Sequence, residues 1–417
     1  MNRRELQRLE RELSDYLESM VVGMGRTERR EALGLYVTGL LLDGERKSIE
    51  PIAGRLVDSA AEIEGMRQRL QQCVSVAGWS DEEMRRRLAG KLDSELPGIE
   101  VFVVDDTGFP KKGRHSVGVQ RQYSGTLGRT DNCQIAVSLH LAGELGSGCI
   151  GLRLYLPESW SEDENRREET GVPREIVHLR KWEIALLQLD DALRWGVRGH
   201  SVLADAGYGD AQEFRDGLTA RGLRYLVALQ GAHKVWPQGE GPRPGREPVR
   251  IETIAAQLPP EAWRRVSWRE GSRGIQSSRF AALRVRPAER HHQHHPPGQE
   301  QWLLCEWPLS EEAPTKYALS TLPENVSLKS LVRIAKLRWR VERDYQEMKQ
   351  ELGLDHFEGR TWRGFHHHAT LCSVAHGFLA LRRALFPPEE CQMDSPSGAQ
   401  GPAASPAPPA RHVSPLP

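Results

Sequence analysis

Long apolar runs are missing from this 417-residue chain. No stretch approaches the roughly 18–20 unbroken apolar residues that a membrane helix needs, so a membrane protein is not expected. The segment Met1 to Leu9 is charged and has no apolar signal core, which points away from secretion and toward a cytoplasmic protein. Cysteine is scarce: Cys73, Cys133, Cys149, Cys305, Cys372 and Cys391 are scattered without metal-ligand spacing and read as buried or idle thiols. Internal repeats are absent. So is an excess of either charge, with 57 Lys and Arg against 57 Asp and Glu. That balance argues at first against a nucleic-acid partner, but an average hides local stripes. Lys329 to Lys349 carries seven basic residues and three acids, and Arg85-Arg86-Arg87 is a second basic run.

What is present is a soluble composition, 38% hydrophobic and 27% charged, long enough for two or three domains with real cores. Residues 1–95 show helical spacing through Leu33, Leu35, Val37, Leu40 and Leu41, and again through Ile52, Leu56, Ala60 and Ile63. Ser80 followed by Glu83 is a helix-start signature. This part is expected to be an all-helical accessory, DNA-binding domain. The texture changes at Pro97. Ile99 to Val104 reads as a buried strand ending on Asp105-Asp106, followed by strands at Gln134 to Leu141 and Cys149 to Leu156. A helix spans Arg174 to Trp195, a short strand Ser201 to Ala204 ends on Asp205, and a helix at Ala211 to Arg221 leads into the strand Arg224 to Leu229. Three strands, a helix, a strand, a helix and a strand make an α/β layer, with two aspartates at strand ends where open sheets place their sites.

The stretch 231–312 breaks that rhythm. It is read as a β-rich insertion interrupting a core of residues 96–230 and 313–386, and the Pro/Ala/Ser-rich tail 387–417 as disordered. After the insertion one long helix is expected from Ser327. Arg338, Glu342, Tyr345 and Lys349 then share one face, because successive residues turn by about 100°. By itself this stripe is also the pattern of an ion-pair ladder on a solvated helix, and a lone strand-end aspartate is also the pattern of a turn or cap. Three acids on this topology point further. Converging carboxylates repel unless cations separate them, and Mg²⁺ prefers carboxylate oxygens, keeping water and phosphate as its other ligands. Two such ions suit an in-line phosphoryl displacement.

The run Val104-Asp105-Asp106-Thr107-Gly108-Phe109-Pro110-Lys111-Lys112-Gly113 continues into Ser116-Val117-Gly118-Val119 and Arg121-Gln122-Tyr123-Ser124-Gly125-Thr126-Leu127-Gly128. Together with Ala204-Asp205-Ala206-Gly207-Tyr208-Gly209, Glu45-Arg46-Lys47 and Trp79, it resembles the DDE transposases of the insertion sequence 701 family, within the insertion sequence 4 group. The likeness covers most of residues 25–385. It implies a ribonuclease-H-like mixed sheet with a β insertion before the last acid. It also implies a bacterial enzyme, nucleoid-associated when bound, that acts as a homodimer on double-stranded DNA, at the terminal inverted repeats and the target. The implied chemistry is strand cleavage and strand transfer with two Mg²⁺ ions, for which Mn²⁺ substitutes. Asp105, the acid of an Asp-x-Thr motif, is the implied first ligand, Asp205 before Gly-Tyr the second, and Glu342 the third. The last lies in a Tyr-x2-Arg-x3-Glu-x6-Lys signature, where Arg338 and Lys349 fit but the tyrosine position is Ala335; Tyr345 is the residue on the same face that would substitute.

Other candidates have plainer readings beside them. Lys111, Lys112, Arg114, Arg121 and Tyr123 are candidate DNA contacts or an exposed charged loop. Trp302 and Trp307 are candidate stacking partners for the base that relatives flip, or core residues of strands. His291 to His295 and His366-His367-His368 read as solvated loop histidines, since their spacing suits no metal. Gly113, Gly118, Gly125 and Gly128 read as turn glycines. Asp131 stands where a small turn residue is expected. The rival function, an inactive transposase-derived DNA-binding protein, would need a broken acid or a lost insertion, and neither is seen. A nuclease that cuts without joining is the third reading.

Overall fold

The computed structural model of the chain describes residues 3–243, 245–271, 274–288 and 298–386. The histidines His291 to His295, Cys391 and the expected disordered tail lie outside the described residues.

Helices open the chain: α1 (Arg3–Val21), α2 (Thr27–Leu41), α3 (Ile49–Leu56), α4 (Ile63–Ser75) and α5 (Asp81–Glu95). Ser80 caps α5 as its sequence suggests, its hydroxyl accepting from Glu83 N at 3.0 Å. Then come β1 (Ile99–Pro110), β2 (Gln120–Ser124), β3 (Arg129–Gly143) and β4 (Ser147–Leu154), followed by α6 (Glu158–Ser161), α7 (Glu164–Thr170) and α8 (Lys181–Arg194). The crossover part is β5 (Ser201–Ala204), α9 (Ala206–Gly209), α10 (Gln212–Ala220) and β6 (Tyr225–Leu229). Next are β7 (Lys234–Pro237), β8 (Val249–Arg250), α11 (Ile251–Ala256), β9 (Arg264–Gly271), β10 (Gly274–Pro287), β11 (Gln301–Trp307) and β12 (Lys316–Ser320). The chain closes on α12 (Leu328–Lys336), α13 (Trp339–Gln346), a π-helical turn (Glu347–Glu351) and α14 (Trp362–Leu385).

Among the described residues twelve strands make one sheet. Its first part runs β4-β3-β1-β5-β6, with β1, β3 and β4 antiparallel and β5 and β6 parallel to β1. This is the ribonuclease-H-like mixed sheet that the resemblance implies. The strands of 231–312 do not form a separate layer: β12 pairs with β6, and β11, β10, β7 and β8 continue the same sheet.

Both faces of the sheet are buried, and strand alternation sorts side chains between them. Phe102 and Val104 of β1 join the large core formed with the N-terminal helices, α8 and α14, whereas Val101 and Val103 join the second core under α12 and α13. Two expectations need correction here. Asp105 does not end its strand, because β1 runs on to Pro110 against β3; what ends at Val104↔Ala204 is the parallel ladder with β5. The triplet His366-His367-His368 is not a solvated loop. It lies in α14, a helix buried on nearly every side against β4, α2 and α5. His366 Nε2 accepts from Leu154 N while its Nδ1 donates to Trp362 O, and burial pushes it down to about 4, so it packs as a neutral ring. The helix α8 also starts later than its periodicity suggests, at Lys181.

Gly209 marks a close approach behind Asp205: a Cβ there would sit 1.9 Å from Ala228 O of β6. Gly209→Ala is therefore expected to lower the unfolding free energy by about 1–3 kcal/mol, the cost of overpacking. In Gly65→Ala, where the added methyl meets nothing within 4 Å, the helix should gain slightly. Equal denaturation midpoints for the two variants would contradict the packing of α9 on β6.

Candidate active site

Alternation that buries Val101 and Val103 under α12 and α13 carries Asp105 to that same face, and Leu203 does likewise for Asp205. Each aspartate follows the last residue of the parallel pair Val104↔Ala204, so the two carboxylates leave the sheet side by side. Asp106 goes to the opposite face, where Lys181 of α8 holds it at 2.8 Å. The two adjacent acids thus leave β1 on opposite faces of the sheet.

Asp105 is largely enclosed, its side chain 15% exposed. Burial, with Asp205 nearby, pushes its carboxyl up to about 7, although the Arg338 guanidinium pulls the other way. Arg338 Nη1 lies 2.8 Å from Asp105 Oδ2, and Asp106 N donates to Asp105 Oδ1 at 2.8 Å. Asp205 also caps α9, accepting from Tyr208 N at 3.3 Å.

The helix facing this pair is not the continuous one expected. Leu337 N bonds Ile334 O, Arg340 N bonds Leu337 O and Val341 N bonds Arg338 O, so a tight turn through Leu337 and Arg338 separates α12 from α13. The predicted stripe is rephased as a result. Arg338 reaches Asp105, Tyr345 turns its hydroxyl onto Ser138 Oγ at 2.5 Å, and Lys349 Nζ donates to Gly108 O at 2.9 Å. Glu342 alone stays outside, 70% exposed, with its carboxylate 3.6 Å from Arg338 Nη2. Arg338 therefore stands between the first and third acids. The hydroxyl of Tyr345, the residue expected to substitute for the tyrosine missing at Ala335, points inward to Ser138.

Does this set suit a divalent ion? The donors are carboxylate oxygens, which favour a hard cation. Crowding of Asp105 and Asp205 is the situation that a cation relieves, and the two aspartates fit one. Among the described residues no three acids are grouped closely enough to form a finished metal cage, since Glu342 reaches only as far as Arg338.

The remaining candidates divide by their surroundings. Lys111 is committed to Phe357 O at 3.0 Å and Lys349 to Gly108, so neither ammonium is open to a phosphate as it stands. Lys112, Arg114, Arg121 and Tyr123 are exposed. Asp131 has an account now: it lies on β3 opposite Gln122, ion-paired with Arg129 at 2.9 Å. Trp302 and Trp307 are half-buried strand residues whose indole N–H groups donate to Pro323 O and Glu311 O. Neither lines the cavity of about 380 Å³ that Ala204, Ala318, Arg338, Trp339 and Glu342 border. Sequence reasoning missed Lys181 and the buried polar side chains Ser138, His140, Ser147 and Asp344. The signal for two of them was there, since Ser138 and His140 interrupt an apolar strand at a spacing of two.

Comparison with known proteins decides the family. Residues 19–275 match the family model described as DDE superfamily endonuclease. The chain belongs to that superfamily. Residues 180–378 of this DDE protein also match the model described as transposase DDE domain. It is similar to the probable transposase for insertion sequence element IS701 of Microchaete diplosiphon, 29% identical over 209 residues, which is 49% of this chain and 50% of that protein. The alignment thus spans about half the length of the curated relative. Among the described residues no helix is long and apolar enough to cross a membrane.

The raised Asp105 carboxyl makes a stability prediction for the metal-free protein. Its folded value lies above the unfolded one of about 3.9, so the folded state favours the protonated form, and stability falls as pH rises from about 4 through 7. Asp105→Asn removes that loss. Thermal melts in EDTA should show the variant gaining on the wild type between pH 5 and pH 8. A difference that stays constant with pH would place the ionisation elsewhere.

Proposed function

We propose that the chain is a cut-and-paste DNA transposase that recognises the terminal inverted repeats of an insertion sequence as a dimer. Asp105, Asp205 and Glu342 are its acids. The observation that carries this reading is the pair of aspartates leaving the sheet together at the end of one parallel ladder, beneath a helix that presents Arg338 and Glu342. A carboxylate set of this kind suits Mg²⁺, with Mn²⁺ as substitute, held by Asp105 and Asp205 and completed by Glu342. Such an ion, or a pair of them, would activate water or a 3′-hydroxyl and neutralise charge at the scissile phosphate.

The protein's own groups do the rest. Arg338 has a planar fork of donors suited to two phosphate oxygens at once, and with its side chain 31% exposed it can turn from Asp105 toward DNA. Glu342, facing solvent, follows when Arg338 leaves. Asp106 stays with Lys181, keeping a fourth negative charge out of the centre. Exposed Lys112, Arg114 and Arg121 offer sequence-independent contacts to the backbone of the duplex, with Tyr123 beside them.

The test is cleavage of DNA that carries the gene and its flanking sequence, in Mg²⁺ or in EDTA. Wild-type protein should nick at the ends of the element only with metal and should join pre-cut 3′ ends to a target. Asp205→Asn and Glu342→Gln should lose both reactions while still binding the ends. Cutting that persists in Glu342→Gln would move the third acid elsewhere. Cutting without joining would leave a nuclease, and binding without cutting a DNA-binding relic.

A further inference from the structure

Glu342 faces solvent. Its side chain is 70% exposed and stands 3.6 Å from Arg338 Nη2, so the backbone of α13 decides where its carboxylate can reach. That helix is eight residues long, set between a tight turn and a π-helical turn, and gains little stiffness from its own hydrogen bonding.

Two residues beyond Glu342, on the opposite face of the helix, Asp344 is fully buried. Ser147 Oγ of β4 donates to its Oδ1 at 2.6 Å, His140 Nδ1 of β3 lies 2.7 Å from its Oδ2, and His376 Nε2 of α14 stands 3.6 Å away. Burial opposes the charge on Asp344, yet His376, His140 and Ser147 together hold its carboxyl below the usual range. The far side of the His140 ring continues the path. Its Nε2 is 3.1 Å from Ser138 Oγ, which also meets Tyr345 Oη at 2.5 Å and lies 3.4 Å from the backbone oxygen of Asp105. Ser138 Oγ can accept from His140 and Tyr345 while it donates to Asp105 O. One run of buried polar contacts thus ties the strand of the first acid to the helix of the third.

We infer that His140, Asp344 and Ser147 are positioning residues of the proposed metal site, fixing the helix of Glu342 over Asp105 through buried, directional contacts. Apolar side chains of the same volume would secure the helix about as firmly; what they lack is the angular constraint of directional hydrogen bonds. This inference rests on the metal-site reading above.

The test measures Mn²⁺ affinity from the electron paramagnetic resonance of the free ion, beside thermal melting, on the full chain. Asp344→Asn should weaken Mn²⁺ binding about tenfold or more, the size typical of groups supporting metal ligands. Ser147→Ala, which alters no charge and is the milder change, should weaken it less but measurably, and it carries the test if Asp344→Asn does not fold. Asp93→Asn is the comparison: Asp93 of α5 is bonded to Arg198 and His200 at the opposite end of β5 from Asp205, outside this run of contacts. It should melt earlier with Mn²⁺ affinity unchanged. Wild-type affinity in Asp344→Asn and Ser147→Ala, or equal weakening in Asp93→Asn, would overturn the positioning role alone. Wild-type protein that holds no Mn²⁺ displaceable by Asp105→Asn would overturn the metal site and this inference with it.

Discussion

Two carboxylates brought together in a half-dry pocket repel each other until a cation stands between them, and the centre of this molecule is arranged around that constraint. Strand alternation puts Asp105 and Asp205 on one face at the end of a shared ladder. Burial then makes a second negative charge costly, which is why Asp105 is pushed up to about 7 and why the guanidinium of Arg338 lies against it. Asp106, one residue along, avoids the conflict by facing the other core and meeting Lys181.

Much of this was legible in the sequence. The β-branched run before Asp105 and the short strand before Asp205 announced both acids. The order of strands and helices announced the sheet, because these signals are local: a period of two, a period near 3.6, and turns between them. The break in the helix expected to carry Arg338, Glu342, Tyr345 and Lys349 was not legible, since the tight turn at Leu337 and Arg338 contains neither Gly nor Pro to announce it.

What stayed hidden depended on partners far away in sequence. Histidines 366–368 looked polar, and only the assembled helices around α14 show that each ring is enclosed and bonded. Asp344 looked like one more acid on a solvated helix until β3 and β4 supplied His140 and Ser147 from some 200 residues upstream. The strands of 231–312 could be recognised one by one, but strand order is a matter of non-local pairing, and nothing in their alternation named β6 and β12 as the route by which they rejoin the sheet.

That route has a mechanical meaning. A domain tethered by two loops can swing on them, but the β7–β11 segment is laced to the strands of Asp105 and Asp205 through the unbroken ladders β6-β12-β11-β10. Turning it as a rigid arm would shear a row of backbone hydrogen bonds. The segment therefore moves with the strands that carry Asp105 and Asp205, and the freedom left in this part of the fold belongs to side chains and loops.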